Sequence, residues 1–128
     1  MKNSHKNHNR IDLMINDLLN RKCAPCEGGI LPFNISEIHK YQKKVDGWSV
    51  KTNKTKIYFL EKNFIFKNFI DSQNFIIKVG EVSEQENHHP DISFGWGYAK
   101  ILITTHAIEG LSENDFILAA KIDQIFNV

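Results

Sequence analysis

The chain is short of cysteine, of long apolar runs and of any surplus of one charge. Its 128 residues hold two cysteines, which argues against a disulfide-built secreted scaffold and makes a reducing, cytoplasmic compartment the expectation. No apolar stretch approaches the ~18 residues of a membrane span, and the polar first residues offer no signal-peptide core, so no membrane role is expected. The 16 Lys and Arg are met by 15 Asp and Glu, for a formal net charge of +1. Without a dense basic block the electrostatic footprint of a nucleic-acid binder is missing, and no nucleic-acid partner is expected. What is present, 41% hydrophobic and 24% charged residues, is the make-up of an ordinary globular protein. At this length it should form about one domain and bury roughly two thirds of its unfolded surface.

Organisation follows from where apolar periodicity starts and stops. Residues 1–10, rich in Asn, Lys and His, predict a disordered tail. Residues 11–34 predict an arm: Ile11, Ile15, Leu18 and Leu19 recur at helical spacing, and Cys23-Ala24-Pro25-Cys26-Glu27-Gly28-Gly29 reads as a loop. From residue 35 to 128 a single domain is expected. Ser36 as N-cap with Ile38, Tyr41 and Val45 predicts a helix ending near Gly47. Trp48-Ser49-Val50 and Ile57 to Leu60, extending through Phe66, predict two strands about a polar turn at residues 52–54.

The period then changes to helical. Phe69, Phe75, Ile76, Val79 and Val82 share one side of a helix from about Asn68 to Glu86, inside which Gly80 suggests a close backbone neighbour. Pro90 disfavours helix at His89, so the helix should stop just before the histidine pair. Asp91 to Phe94 and Ala99 to Thr105 form a second hairpin around Gly95-Trp96-Gly97. Ser112 with Asp115 three residues on resembles a capping box, with Leu111 and Phe116 placed as a staple. Leu118, Ala119, Ile122, Ile125 and Phe126 supply the last helix's buried stripe. The order α-β-β-α-β-β-α has no alternation of single strands with helices. It predicts an α+β fold: a four-stranded antiparallel sheet with about three helices on one face, plus the short N-terminal helical arm.

The chemistry concentrates in nineteen residues, His88 to His106, which hold three of the six histidines. Histidine is the side chain whose ordinary pKa, about 6.5, lets it give or take a proton near neutral pH. A metal is the alternative, with His88, His89, His106 and Glu84 as ligands. Adjacent residues point apart on a strand or helix, so a His-His pair seldom reaches one ion. Proton transfer to a bound small molecule is the favoured reading. Cys23 and Cys26 cannot complete a tetrahedral site by themselves. They read as reduced thiols or an incidental disulfide, with a metal shared with His5, His8 or a second subunit as the lesser alternative.

Glu84-x-x-x-His88-His89-Pro90-Asp91-Ile92, then Thr104-Thr105-His106, then Gly110-Leu111-Ser112-Glu113-x-Asp115-Phe116 closely resembles the pterin-4a-carbinolamine dehydratases. The resemblance runs from about Asp46 to Phe126 and includes Gly47-Trp48 and Phe64-x-Phe66-x-x-Phe69. It implies dehydration of 4a-hydroxytetrahydropterin to quinonoid dihydropterin and water, recycling the cofactor of aromatic amino-acid hydroxylases. The dehydration so implied calls for no metal or redox cofactor, and none is expected.

By correspondence His88 and His106 would be the acid/base pair and His89 the residue that orients substrate. Glu84, Asn87, Pro90, Thr104, Thr105 and Asp115 would complete the binding site. Asn87 departs from the aspartate of some members. Asp115 serves the helix cap, with placement of His106 or of the pterin as an extra possibility, and Trp96 could wall the pocket or pack within its hairpin. The resemblance also implies a homodimer or homotetramer. It carries a competing role as well, a non-catalytic dimerisation or assembly cofactor for a protein partner, against which the retained histidines speak.

Overall fold

Asn53 builds the first hairpin. Its Oδ1 accepts the N–H groups of Thr55 and Ile57 (2.9 and 3.0 Å) and the Thr55 hydroxyl (2.8 Å), an Asx-type turn that reverses the chain with one short side chain. In the computed structural model, which describes residues 17–25 and 30–128, this turn joins β1 (Ser49–Thr52) to β2 (Tyr58–Ile65). The second hairpin pairs β3 (Asp91–Gly95) with β4 (Tyr98–Ile103) through Trp96 and Gly97. Gly97 sits at φ +81°, where a Cβ would also meet the Phe66 carbonyl oxygen at 3.3 Å.

All strands are antiparallel, in the order β1-β2-β4-β3. One face carries Leu60, Phe64, Ala99, Ile101 and Ile103 into the core, while Glu61, Asn63 and Lys100 alternate onto the other. The expected α+β layering, helices against one face of an antiparallel sheet, is what forms.

Among the described residues three helices of eight residues or more supply the second layer. The first, α1 (Ile35–Gln42), begins at Asn34 and not at Ser36. Asn34 and Glu37 cap each other, side chain to backbone N–H in both directions at 2.8 and 2.9 Å, and Ser36 falls inside the first turn. The helix ends at Gln42, well short of Gly47. The longest, α2 (Phe69–Glu86), buries Ser72, Phe75, Val79 and Ser83. Phe69 remains 42% exposed at its start, against Phe94. Gly80 has no close neighbour: an added Cβ would meet nothing within 4 Å, because the residue lies on the solvent side.

The last helix, α3 (Glu113–Asn127), is buried continuously from Asn114 to Ala120, a wider contact than one stripe because it packs against both α1 and α2. Leu111 and Phe116 are both fully buried, as the staple requires. Phe126, expected in the stripe, is 39% exposed, with its ring against Phe64 and Phe66. Near its end Asp123 accepts from Trp48 Nε1 (3.0 Å) and Lys62 Nζ (2.8 Å), tying α3 to the start of β1 and the middle of β2. Leu18, in a short helical stretch at residues 17–19, reaches the core with no exposed surface. The expected tail and most of the arm, including Ile11, Ile15 and Cys26, lie outside the described residues.

Candidate active site

The histidine pair is delivered by the way α2 ends. Asn87 adopts the left-handed conformation (φ 51°) and its N–H donates to the Glu84 carbonyl (3.2 Å), while the His88 N–H donates to that of Ser83 (3.1 Å). This is a Schellman closure, which asparagine tolerates better than other residues that bear a Cβ. It turns two adjacent side chains in opposite senses. The His88 imidazole is 11% exposed and points inward, its Nε2 2.7 Å from Asp115 Oδ1. That of His89 is 57% exposed and meets Glu84 Oε1 at 2.8 Å.

Asp115 has no exposed surface, and both of its oxygens are used. Oδ1 holds His88, while Oδ2 accepts from the Thr105 hydroxyl (2.7 Å) and the Ser112 N–H (2.8 Å). The capping residue of α3 is therefore also the residue that orients His88. Its carboxylate makes no direct bond to His106, but reaches that residue's neighbour in the chain, Thr105. A carboxylate fixed by two further donors locks the ring it holds. If His88 gives its Nε2 proton to Asp115, Nδ1 is left as the ring's free acceptor.

His106 comes from a tight excursion after β4. Thr105 and Gly110 form an isolated antiparallel bridge, N–H to carbonyl in both directions at 2.9 and 3.4 Å, and the four residues between them contain a short 3₁₀ turn, His106–Ile108. Gly110 is required there: a Cβ would come within 2.6 Å of Pro32 Cβ. The Thr104 hydroxyl donates to the carbonyls of Tyr58 (2.8 Å) and Gly110 (3.2 Å), so it fastens the loop to β2.

His88, His89, His106, Asn87, Thr104 and Thr105 line one cleft of about 360 Å³, within the range of about 300–1,000 Å³ usual for small-molecule sites. Two adjacent imidazoles and a third seventeen residues further on are thus brought to one cavity. Glu84, Asp115 and Pro90 do not line it. Glu84 and Asp115 stand behind the histidines they hold, and Pro90 leads from the pair into β3. Trp96 neither walls the cleft nor packs within its hairpin: it is 72% exposed at the tip of the β3–β4 turn, at the far end of the strands. Among the described residues no group of three His, Cys, Asp or Glu side chains is placed to hold a metal ion. None of the described helices is long and apolar enough to cross a membrane.

The far wall of the cleft comes from residues that pattern reasoning passed over: Cys23, Ala24, Pro25 and Asn114. No periodicity marks them, because their contacts join segments about ninety residues apart in sequence. Burial, with Glu86 beside it, pushes the Cys23 thiol up to about 12. Glu86 itself is raised by burial but held net below the usual carboxylate range by Lys121 and the Cys23 N–H.

The model of the family described as pterin 4 alpha carbinolamine dehydratase matches residues 32–125. A Rubrobacter xylanophilus protein whose name assigns it to these dehydratases is 40% identical over 111 residues, 87% of this chain and all of that one. A Halorhodospira halophila protein of the same name is 47% identical over 108 residues, 84% of this chain and 96% of its own. Among solved structures, a transcriptional coactivator/pterin dehydratase from Brucella melitensis superposes with a TM-score of 0.65 at 23% identity, covering 73% of this chain and 97% of that one. A pterin dehydratase-like protein identified as a RuBisCO assembly factor in the alpha-carboxysome gives 0.53 at 24% identity, covering 62% and 88%. These two likenesses bear on the fold. The family match and the relatives' identity decide the membership: this chain belongs to the pterin-4-alpha-carbinolamine dehydratases, a family named for a hydro-lyase reaction.

Proposed function

We propose that the protein dehydrates 4a-hydroxytetrahydropterin to quinonoid dihydropterin and water. The observation that carries the reading is the cleft shared by His88, His89 and His106, with His88 fixed by buried Asp115. In the reaction the C4a–O bond breaks and its oxygen takes a proton to leave as water. N5 gives up its proton, and the electron pair so released forms the new N5=C4a double bond. Imidazoles suit both transfers, since their ordinary pKa lies close to operating pH.

His88, oriented from behind by a carboxylate, and His106 act as the acid/base pair. The His106 carbonyl accepts from the Glu109 N–H (3.2 Å), but its imidazole has no hydrogen-bond partner among the described residues, which leaves both ring nitrogens for substrate. His89, steadied by Glu84, orients the ring, and Asn87, Thr104 and Thr105 border it; Pro90 fixes the path of the chain beside it. No step requires a metal or redox cofactor. The low cysteine content supports a cytoplasmic setting. The outer edges of β1 and β3, unpaired among the described residues, support self-association as a homodimer or homotetramer.

A direct assay with 4a-hydroxytetrahydropterin tests the reading. Turnover by the wild type should exceed that of His88→Ala by about 10²–10⁴-fold. Wild-type activity no better than that of His89→Ala would end it. The competing reading, a non-catalytic assembly role, draws on the relative identified as a RuBisCO assembly factor. Robust turnover, with a pull-down that returns only the protein itself, would count against that role.

A further inference from the structure

The segment Cys23–Pro25 is fastened to the cleft from two sides. Asn114 bonds Ala24 twice: the Ala24 N–H donates to Oδ1 (2.9 Å) and its carbonyl accepts from Nδ2 (2.6 Å). One side-chain amide thus does for Ala24 what a neighbouring strand would do. The Cys23 N–H donates to Glu86 Oε1 (2.8 Å), and the other Glu86 oxygen takes Lys121 Nζ at 2.5 Å. Both anchors adjoin the histidine machinery along the chain. Glu86 stands two residues before His88, and Asn114 is next to Asp115.

We infer that Cys23–Pro25, held by Asn114 and Glu86, is a specificity-determining wall of the histidine cleft, limiting the ring substituent the site accepts. The inference rests on the dehydratase reading and adds the residues that choose among 4a-hydroxytetrahydropterins. The wall presents a methyl group, a pyrrolidine ring and a thiol, with no charge and no strong donor. It therefore restricts bulk and does not read polarity.

Two variants, Asn114→Ala and Ala24→Trp, test this with substrates carrying a 6-methyl or a 6-dihydroxypropyl group. Thermal melts establish that each variant folds. Binding of the matching 7,8-dihydropterins, followed by fluorescence, gives a readout independent of turnover. Asn114→Ala should raise KM and the dihydropterin Kd about tenfold, with the loss on KM and not on kcat. Asn114→Asp, which keeps the acceptor for the Ala24 N–H, should recover part of it. Ala24→Trp should shift the kcat/KM ratio towards the 6-methyl substrate by about tenfold or more.

Unchanged KM, Kd and preference in both variants, beside an active wild type, would overturn the wall. A wild type that binds dihydropterins without turnover would sink the dehydratase reading, and the Kd values would then decide the wall. Failure to bind either would sink both.

Discussion

Two buried aspartates on α3, Asp115 at its start and Asp123 two turns later, meet opposite fates. Each reaches across to another element: Asp115 to His88 and Thr105, Asp123 to Lys62 and Trp48. Their partners separate them. Lys62 lies over the Phe64 ring (4.8 Å) with its charge spent inside the fold, whereas His88 opens onto a cleft and can exchange a proton there. Burial pushes the Asp123 carboxyl up, more than Lys62 and Trp48 hold it down, so keeping a charge at that end works against the fold. One helix thus uses the same residue type for chemistry at one end and for tethering at the other. Burial of an ion pair does not by itself mark a site; what its partner faces does.

The comparison can be broken most directly by activity. Asp115→Asn puts an amide behind His88 and disturbs its tautomer, so kcat should fall by about 10²-fold or more. Asp123→Asn should leave kcat near the wild-type value. Equal losses in the dehydration assay would erase the distinction.

Stability gives the next largest effect. Asp123→Ala leaves the part-buried Lys62 ammonium with the Asp46 carbonyl alone and the buried Trp48 Nε1–H without its acceptor, and should cost about 2–3 kcal/mol in urea unfolding. Asp123→Leu combined with Lys62→Met should recover the part of that loss due to the ion pair. A double variant as unstable as the single one would mean that the pair contributes more than its burial costs.

The contrast between these aspartates was half legible in sequence. Ser112 with Asp115, ahead of an apolar run, announced a helix start, and that signal is local. That the same carboxylate also holds His88 is not local, since the two residues are joined only by packing. The hairpins and the limits of α2 were readable from Asn53, from Gly97 and from Pro90, because turn chemistry acts within four or five residues. Asn34 with Glu37 carried an equally local signal that the choice of Ser36 overlooked. Gly80 and Trp96 misled for a common reason. Each was credited with a neighbour that only the completed fold could supply, and both face solvent. The Asn114 latch gave no sign at all, because a side chain that pairs with distant backbone leaves no period.

A smaller effect sharpens the role of the helix end. Asn87→Val must enter the left-handed region with a β-branched side chain and should lose roughly 1–2 kcal/mol, whereas Asn87→Gly should be tolerated. Dehydratase activity that survives the valine variant intact would show that Asp115 alone sets His88.

The smallest effect concerns a third carboxylate, Glu86. Its folded value lies below the ordinary 4.5, so its contribution is complete above that pH and is lost as pH falls through the lower value. Wild type should therefore lose stability relative to Glu86→Gln on acidification below about 4.5. Parallel urea midpoints from pH 7 to 3 would contradict this.

The 18 residues of α2 run unbroken from Asn68 to the histidine pair, a span of about 27 Å. A helix of fixed pitch is a ruler, and the imidazoles stand at its last mark. One residue inserted within it would advance the pair by about 1.5 Å and swing it through about 100°, turning the inward ring away from Asp115. Changes of length in this lineage therefore belong in the Asn53 turn or ahead of Asn34, and α2 should keep its count wherever the reaction is kept.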